Sequence, residues 1–277
     1  ILYGLKPIDY DFHIVSSGST IIDGREFIFF KMTHSVPGNL SVAIDTSDGY
    51  IVYTSDFIID FGASELNRMD FTLLTSLPLK KKILLLITES CDAEKSGHAS
   101  PNHRITQHIQ RLFSEAKGRI FISIYSQNLF NLQEVIDLGI KTNKKIIFLN
   151  NEVNELFSEK IISQLFTIPQ ANKATINDLN RIREQDTLII INGTGEHIFE
   201  NIIAISTGSL INNITFSEND TFIVASPSVP GTETISIEAV DDAYKTGAHV
   251  VNLTRKDICS MHAHEEDLKM LLTMLAP

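Results

Sequence analysis

The first residues in this sequence that could carry chemistry are two polar side chains at the ends of strand-like segments. His34 closes a β-type segment just before the turn at Pro37-Gly38, and Asp56 ends the next strand but one. Imidazole and carboxylate groups are common metal ligands, and imidazole also transfers protons near neutral pH. Because the two residues lie one hairpin apart, they can converge on a single ion. Taken alone, each is more typical of an ordinary surface loop.

A second carboxylate and a second imidazole occupy similar positions later in the chain. Glu89 follows the apolar segment 83–88, which places it at the carboxyl edge of a sheet, where open α/β folds bind ligands. His262 and His264 precede a run of acidic residues that suits the first turn of a helix. Of these two histidines, His262 is the better catalytic candidate because it is nearer to the preceding strand.

The loop 226–232, between a strand and a helix expected to start near Glu233, has the composition of a phosphate site. Its hydroxyl groups, its glycine and the free amides of the helix start suit an anion. Many strand-to-helix loops share this composition, so the specificity of the signal is low. The residues concerned are Ser226, Ser228, Gly231 and Thr232.

The pattern of apolar residues divides the chain into two regions. Segments 26–32, 40–45 and 50–54 are β-type, and Asp48-Gly49 between the last two predicts a hairpin. In the rest of the chain, short apolar strands alternate with helical periods, which predicts a parallel sheet covered on both faces. Six strands are expected there, at 83–88, 119–124, 145–149, 188–191, 222–225 and 249–253.

Helices are predicted from the spacing of apolar residues. These residues recur with a helical period across 105–116, 129–140 and 268–275. Ser100-Pro101 predicts a further helix start, with the serine as cap and the proline at the first helical position.

The composition is that of a soluble globular protein with room for two lobes. The chain has 277 residues, of which 43% are hydrophobic and 21% charged, so disorder, collagen and coiled coil are excluded. No apolar run reaches the roughly 18 residues of a membrane-spanning helix. The formal charge of −11 argues against a protein that coats nucleic acid but leaves room for a local basic groove. Two distant cysteines indicate a reducing cytoplasm, and a start at Ile1 indicates a fragment.

Taken in order, these segments resemble the RNase J family of bacterial ribonucleases, which combine a metallo-β-lactamase fold with an inserted β-CASP domain. The resemblance runs almost from end to end and is greatest to the divergent second paralogue of Gram-positive bacteria. The matching segments, each given with the family motif that it resembles, are His34-Ser35-Val36-Pro37 (His-Ser-Ile-Pro), Thr54-Ser55-Asp56-Phe57 (Thr-Gly-Asp-Phe), Glu89-Ser90 (Asp-Ser), Ser260-Met261-His262-Ala263 (Ser-Gly-His-Ala) and the helical segment 127–136 (Asn-x-x-x-x-Gln-x-Val-Ile).

The resemblance implies an α/β fold with two parts. These are a partial metallo-β-lactamase αββα sandwich and an inserted β-CASP domain built on a mainly parallel, doubly wound sheet. The expected boundaries are 1–98 for the metallo-β-lactamase part, 99–253 for the β-CASP domain and 254–277 for the return to the first part.

The resemblance also implies a metal-dependent ribonuclease. Two divalent ions, Zn²⁺ or Mn²⁺, would activate water for attack on an RNA phosphodiester. His34 and Asp56 would be metal ligands. His262 would be the general acid or would orient phosphate, and Glu89 would position His262 or a ligand.

Substrate and partners follow from the same resemblance. Ser90 and the loop 226–232 would hold substrate phosphates, and the groove between the lobes would take single-stranded RNA, mainly by backbone contacts and stacking. The family-level activity is a weak 5′-exonuclease with some endonuclease action, in cytoplasmic mRNA decay and rRNA processing. The expected protein partners are an RNase J paralogue, further copies of the chain, or both, and no membrane is involved.

The sequence departs from the family pattern at positions that matter for catalysis. The family's main metal cluster, His-x-His-x-Asp-His, should lie before His34, where the chain has only His13. Ser55 and Met261 replace motif glycines, and either side chain could crowd the site. Ile258 stands where the family often has histidine. Because a zinc site needs about three or four protein ligands, we expect this chain to be essentially metal-free and inactive on its own.

Two other functions compete with a nuclease. The first is a non-catalytic subunit that binds and supports an active RNase J paralogue, with the altered motifs as relics of an enzyme. The second is a doubly wound protein that binds a phosphometabolite, since fold does not fix function.

Overall fold

The computed structural model of the protein describes residues 13–150, 167–210 and 214–277, and their strands form two separate five-stranded sheets. The strands of the first sheet are neighbours in chain order, so this part of the chain folds back on itself repeatedly. They are β1 (Gly18–Ile22), β2 (Arg25–Lys31), β3 (Leu40–Thr46), β4 (Gly49–Tyr53) and β5 (Ile83–Ile87).

The first sheet is antiparallel from β1 to β4, and β5 pairs with β4 in parallel. The hairpin predicted at Asp48-Gly49 is confirmed, because β3 and β4 pair up to Thr46 opposite Gly49. Gly49 has a φ of 152°, and a Cβ there would lie 2.7 Å from the Lys82 carbonyl oxygen, so no other residue fits without a shift. The helix α1 (Phe71–Lys80) lies between the two parallel strands in the chain.

The pairing of β4 with β5 contains a register shift. Tyr50 pairs with Ile83, but Ile51 pairs with Leu85, so Leu84 has no residue opposite it. An extra residue of this kind acts as a bulge. It sets the face of the sheet toward which every following side chain of β5 points.

The second sheet is parallel throughout and has the strand order β10-β9-β6-β8-β7. This confirms the predicted doubly wound parallel sheet, although the first of the six strands expected in that region, 83–88, joins the other sheet beside β4. The strands of the second sheet are mostly buried, as expected for a sheet with both faces covered. They are β6 (Ile120–Tyr125), β7 (Lys145–Phe148), β8 (Thr187–Gly193), β9 (Thr221–Val224) and β10 (His249–Asn252).

Two pairs of helices cover the faces of the parallel sheet. On one face, α2 (Thr106–Glu115) and α3 (Leu129–Lys141) bury apolar side chains in one core cluster. On the other face, α4 (His197–Thr207) and α5 (Glu233–Lys245) share a second cluster. Because helices cover both faces of the sheet, successive side chains of each strand are buried, which explains the continuous apolar runs in the sequence.

The end of the chain returns to the first sheet. The last helix, α6 (Glu265–Leu275), packs beside α1 on one face of this sheet. Leu271 and Leu275 of α6 are fully buried in the same cluster as Leu74 and Leu77 of α1 and Phe30 of β2. Within the described residues, this lobe is one sheet with helices on one face, which is part of the expected αββα sandwich.

The predicted strands are all present within one or two residues of their expected bounds, and the periodic helices within one to three. The sequence did not predict β1, α1 or α4. The strand β1 includes small polar residues, α1 has a proline inside it, and α4 is rich in isoleucine. Each of these features weakens the ordinary signal for the element that forms.

The helix start predicted at Ser100-Pro101 is wrong. The helix α2 begins at Thr106, and its first turn is capped from another element. The Glu134 carboxylate of α3 accepts the N–H of Thr106 at 3.5 Å and that of the preceding residue at 2.9 Å. The Ser100 hydroxyl instead donates to the Asp60 carboxylate, so its capping group is used by a tertiary contact.

An arginine joins the two lobes close to this point. Arg104 donates to Asp60 Oδ2 at 2.6 Å and to Glu134 Oε1 at 3.1 Å, and His103 Nε2 lies 3.3 Å from Asp60 Oδ2. Burial alone would raise the pKa of Asp60. The contact with His103, the charge of Arg104 and the Gly62 N–H outweigh it and hold this pKa well below its ordinary value. These partners therefore keep the buried Asp60 side chain ionised.

Replacing Arg104 should destabilise the protein, because Arg104→Ala leaves two largely buried carboxylates without their shared cation. We expect a loss of about 2 kcal/mol or more in the free energy of unfolding at neutral pH, measured by urea denaturation. Because the Asp60 pKa is lowered on folding, the loss should shrink as the pH falls below the ordinary aspartate value of 3.8.

The matched control is Arg111→Ala, which removes an arginine paired with Glu115 on the exposed surface of α2. Exposed pairs contribute little to stability, so no measurable change is expected. Equal effects of the two substitutions would contradict the role given to Arg104.

Candidate active site

Four of the residues singled out from the sequence lie at one end of the first sheet. Asp56 follows β4 and Glu89 follows β5, and because these strands are parallel neighbours their carboxyl ends meet. His34 follows β2, next to the bridge between Thr33 and Ile58 that ties its loop to the Asp56 loop. The fourth residue, His262, comes from the segment that precedes α6.

The four side chains converge. His34 Nε2 lies 3.9 Å from Asp56 Oδ2, and the rings of His34 and His262 are 5.5 Å apart between centroids. Asp56, Glu89 and His262 each have a ligand atom within 4.8 Å of the others. The structure therefore brings His34 and Asp56 together, as their positions at strand ends suggest, and places His262 beside them. We call these four residues the His-carboxylate site.

Glu89 is the central acceptor of the His-carboxylate site. Its Oε2 lies 2.7 Å from His262 Nδ1, and its Oε1 accepts the N–H groups of Phe57 at 2.7 Å and Ala263 at 3.2 Å. A carboxylate can only accept when it is ionised, so the proton of this contact sits on His262 Nδ1. The arrangement fixes the ring of His262 and leaves its Nε2 for a substrate.

His34 is oriented by a backbone carbonyl. Its Nδ1 lies 2.7 Å from the carbonyl oxygen of Met261. Because a carbonyl oxygen only accepts, Nδ1 must carry the proton and Nε2 of the neutral ring keeps its lone pair. That lone pair is on the nitrogen nearest Asp56. His34 therefore has the tautomer that a metal ligand requires.

The surroundings move the pKa values of the two histidines in opposite directions. The hydrogen bond to Glu89 raises the pKa of His262 above its ordinary 6.5, despite burial, and the charges of nearby carboxylates add to the effect. Burial lowers the pKa of His34, although its bond to Met261 and the charge of Asp56 oppose this. Opposite pKa shifts of this kind give two like groups different protonation states at the same pH. At neutral pH, His262 is the more readily protonated ring.

The residues that replace motif glycines behave differently from one another. Ser55 has a φ of 52°, in the left-handed region that favours glycine, and its hydroxyl contacts Asn39. Met261 is buried in an apolar cluster with Phe130 and two smaller side chains, between the lobes. The structure thus gives the Met261 side chain a packing role away from the polar groups. Ile258 is buried in the core beneath α2 and α3.

The segment that carries His262 is held by contacts that the sequence did not predict. The Ser260 hydroxyl bonds to the Asp92 carboxylate in the loop after β5. Asp267, which is fully buried, lies 2.7 Å from His98 Nδ1 and accepts the Ala99 N–H at 3.0 Å. In the sequence, Asp92 looks like a loop acid and Asp267 like one of several acids at a helix start. Their long-range partners give no local signal.

The predicted phosphate-binding residues are more dispersed. Ser90 is exposed directly after Glu89. The Ser226 hydroxyl is buried and shares a hydrogen bond of 2.8 Å with Ser123, and the Thr232 hydroxyl bonds within its own loop to Val229.

The rest of the 226–232 loop bonds to its surroundings through the backbone. The Ser228 carbonyl accepts from Arg255, and the Gly231 N–H donates to Glu233. These bonds run to neighbouring elements and within the loop, and none that the structure gives this loop reaches the His-carboxylate site.

The donor set of the His-carboxylate site suits a divalent ion only in part. His34 Nε2 and the Asp56 carboxylate, whose side chain is 53% exposed, are available as ligands. Glu89 and His262 are bound to each other, and the raised pKa of His262 disfavours the neutral form that binds metal. Two ligands are fewer than a tightly bound ion needs.

Comparisons with known proteins relate part of the chain to one family. Residues 117–243 match the family described as Ribonuclease J, beta-CASP domain. The chain is 29% identical over 250 residues to Ribonuclease J 2 of Staphylococcus epidermidis, covering 90% of this chain and 44% of that protein. Ribonuclease J 2 of Staphylococcus aureus is 28% identical with the same coverage. The chain thus spans less than half the length of these curated relatives.

A solved structure supports the fold. It is a protein of unknown function from Enterococcus faecalis V583, with a TM-score of 0.63 and 19% sequence identity, and the match covers 96% of this chain and 60% of that one. In the described part of the chain, no helix has the length and apolar character needed to cross a membrane.

Glu89→Gln should lower the pKa of His262, because the substitution removes the charge that stabilises the protonated ring. In the unaltered protein, we expect His262 to titrate above 6.5 when followed by NMR of the ring protons. The stabilising contribution of the pair is fully present below 6.5 and is lost as the pH rises through the folded-state pKa. Glu94→Gln, at an exposed position in the same loop, is the control and should leave the titration unchanged. A His262 titration that is indifferent to Glu89→Gln would refute the pairing.

Proposed function

We propose, from the match of residues 117–243 to the ribonuclease J family, that the His-carboxylate site takes part in metal-dependent hydrolysis of phosphodiester bonds in single-stranded RNA. The observation that carries the proposal is the convergence of His34, Asp56, Glu89 and His262 with opposite pKa shifts on the two histidines. The neutral imidazole of His34, beside the Asp56 carboxylate, can bind a metal ion. The protonated imidazole of His262 can donate a proton to the substrate.

In this proposal, His34 Nε2 and the Asp56 carboxylate hold a divalent ion, Zn²⁺ or Mn²⁺, and the intact protein binds two such ions. A bound ion makes water a stronger nucleophile and neutralises charge on the phosphate. His262 donates the proton on Nε2 to the leaving oxygen or to a phosphate oxygen, since its Nδ1 proton is committed to Glu89. Glu89 is a positioning residue that keeps the ring oriented and charged.

The RNA phosphates would meet the exposed Ser90 hydroxyl beside Glu89 and the 226–232 loop. Within that loop, the hydroxyls of Ser226 and Thr232 and the N–H of Gly231 already have protein partners, so the Ser228 hydroxyl is the better candidate. The activity that fits the family is a weak 5′-exonuclease with some endonuclease action, in cytoplasmic mRNA decay and rRNA processing. Its partners would be a paralogue, further copies of the chain, or both.

A second candidate function is a degenerate subunit that supports an active paralogue. Two observations favour it: the site offers only two uncommitted metal ligands, and Ser55 occupies a backbone conformation that suits glycine. Neither function predicts appreciable activity for this chain alone. They differ for the full-length protein, where the nuclease predicts cleavage that depends on His262 and the degenerate subunit predicts none. The match to the ribonuclease J family leaves the phosphometabolite-binding alternative without support.

His262→Ala tests the nuclease. With labelled single-stranded RNA and added Mn²⁺, we expect weak cleavage by the full-length protein and a loss of at least about 100-fold in the variant, as for removal of a general acid. The control is His108→Ala, which removes a histidine on the partly exposed surface of α2. Cleavage that survives His262→Ala would exclude the proposed role. An inactive chain that binds a paralogue tightly would favour the degenerate subunit.

Metal binding is a separate test. Mn²⁺ titration followed by electron paramagnetic resonance should show weak binding that is abolished by His34→Ala and by Asp56→Asn. His262→Ala should preserve this binding, because its ring is paired with Glu89 rather than with the ion. Binding that is insensitive to both ligand substitutions would refute the metal assignment, whatever the activity.

A further inference from the structure

A cavity of about 230 Å³ lies where the two lobes meet. The first lobe contributes Ser64 and Asn67 from the chain between β4 and α1, and the second contributes side chains of α2 and α3. Phe130 and Leu138 give the lining an apolar part. The volume is below the roughly 300–1,000 Å³ of pockets that take drug-sized ligands, so it suits a group no larger than one ring system.

Two of the residues that line this cavity each carry a polar atom without a hydrogen-bond partner among the described residues. These atoms are Asn67 Oδ1 and Gln133 Oε1, and both are buried. The amide nitrogens of the same side chains are already used, since Asn67 Nδ2 donates to Ser64 and Gln133 Nε2 donates to Asp137. Buried carbonyl oxygens without a donor are costly. Because the last torsion of an amide side chain is soft, a small rotation can turn each oxygen toward a bound molecule.

The charged groups of the cavity disfavour a phosphate. The terminal nitrogens of Arg104 are taken up by Asp60 and Glu134. Asp137 has only one of its oxygens bonded to Gln133, and a carboxyl group repels an anion. The remaining donors of the lining are the Lys141 ammonium, the Gln110 amide and the hydroxyls of Ser64 and Thr106. A neutral, flat ligand with N–H donors and ring acceptors matches this set.

We infer that the cavity binds one unpaired nucleobase that carries an exocyclic amino group, adenine or cytosine, with Asn67 and Gln133 accepting from the amino group. Side-chain carbonyls and carboxylates accept from these amines in nucleic-acid recognition, and unstacked bases of single-stranded RNA enter protein pockets. The inference rests on the proposed function. It adds base recognition to a groove that was expected to contact mainly the RNA backbone.

The position of α3 connects the cavity to the His-carboxylate site. The N–H of Phe130, near the start of α3, donates to the carbonyl of Ser35, which follows His34. Gln133 and Asp137 lie about 5 and 10 Å further along the helix at 1.5 Å per residue. The recognised base would therefore lie within a few nucleotides of the bond that is cut.

The test uses labelled RNA oligomers of ten uridines in which a single cytidine occupies each position in turn. Fluorescence anisotropy measures their affinity for the 277-residue chain in the presence of a chelator, so that no cleavage occurs. At one position, cytidine should bind about tenfold more tightly than uridine, as for one good base contact. Gln133→Met and Asn67→Ala should remove this gain and leave the affinity for all-uridine RNA unchanged. Gln107→Ala, an exposed glutamine of α2 outside the cavity, should retain it.

The outcomes separate this inference from the proposed function. RNA binding with no position that prefers cytidine or, in a matching set of oligomers with one adenosine, adenosine would overturn the base pocket and leave the nuclease proposal standing. A preference that persists in both variants, with their circular dichroism unchanged, would overturn its assignment to this cavity. Failure to bind any oligomer would overturn both. Because the two substitutions lie in different lobes, the test still gives a result if one of the variants fails to fold.

Discussion

The His-carboxylate site depends on the hydrogen bonds of one carboxylate. Glu89 accepts from the ring of His262 and from two backbone N–H groups, those of Phe57 and Ala263. These donors come from the loop after β4 and from the segment before α6, so one side chain joins three parts of the chain. A buried carboxylate is stable only when such donors surround it. The same bonds that make Glu89 tolerable in this position also charge and orient His262.

A second layer of contacts keeps these loops where Glu89 needs them. The buried Asp267 binds the segment around His98 and Ala99, and Asp92 binds Ser260. Between the lobes, the start of α3 bonds to the loop of His34, and Arg104 pairs with carboxylates from both sides. The geometry of the site is therefore coupled to the packing of the lobes. A change at the junction can alter the geometry of the His-carboxylate site without touching any of its four residues.

Local patterns were enough to predict much of this molecule. Short, continuously apolar segments predict a parallel sheet because strands that are covered on both faces bury every side chain. Polar residues that follow such strands lie close together because parallel strands end at the same edge of the sheet. His34, Asp56, Glu89 and His262 were found in this way and by resemblance to family motifs. The capping of α2 by Glu134 was missed because the partner is distant in sequence and Ser100-Pro101 carries a stronger local signal. The packing of Met261 and the burial of Asp267 are long-range outcomes of the same kind.

The unmatched residue Leu84 in β5 has a consequence for how this protein can vary. Side chains of a strand alternate between faces, so the count of residues between the bulge and the end of β5 decides whether Glu89 or the adjacent Ser90 is presented to His262. A substitution along this strand changes the local packing but leaves the direction of the other side chains unchanged. The gain or loss of a single codon there would exchange a carboxylate for a hydroxyl and remove the acceptor of the imidazole in one step. The length of this strand is under tighter constraint than its composition.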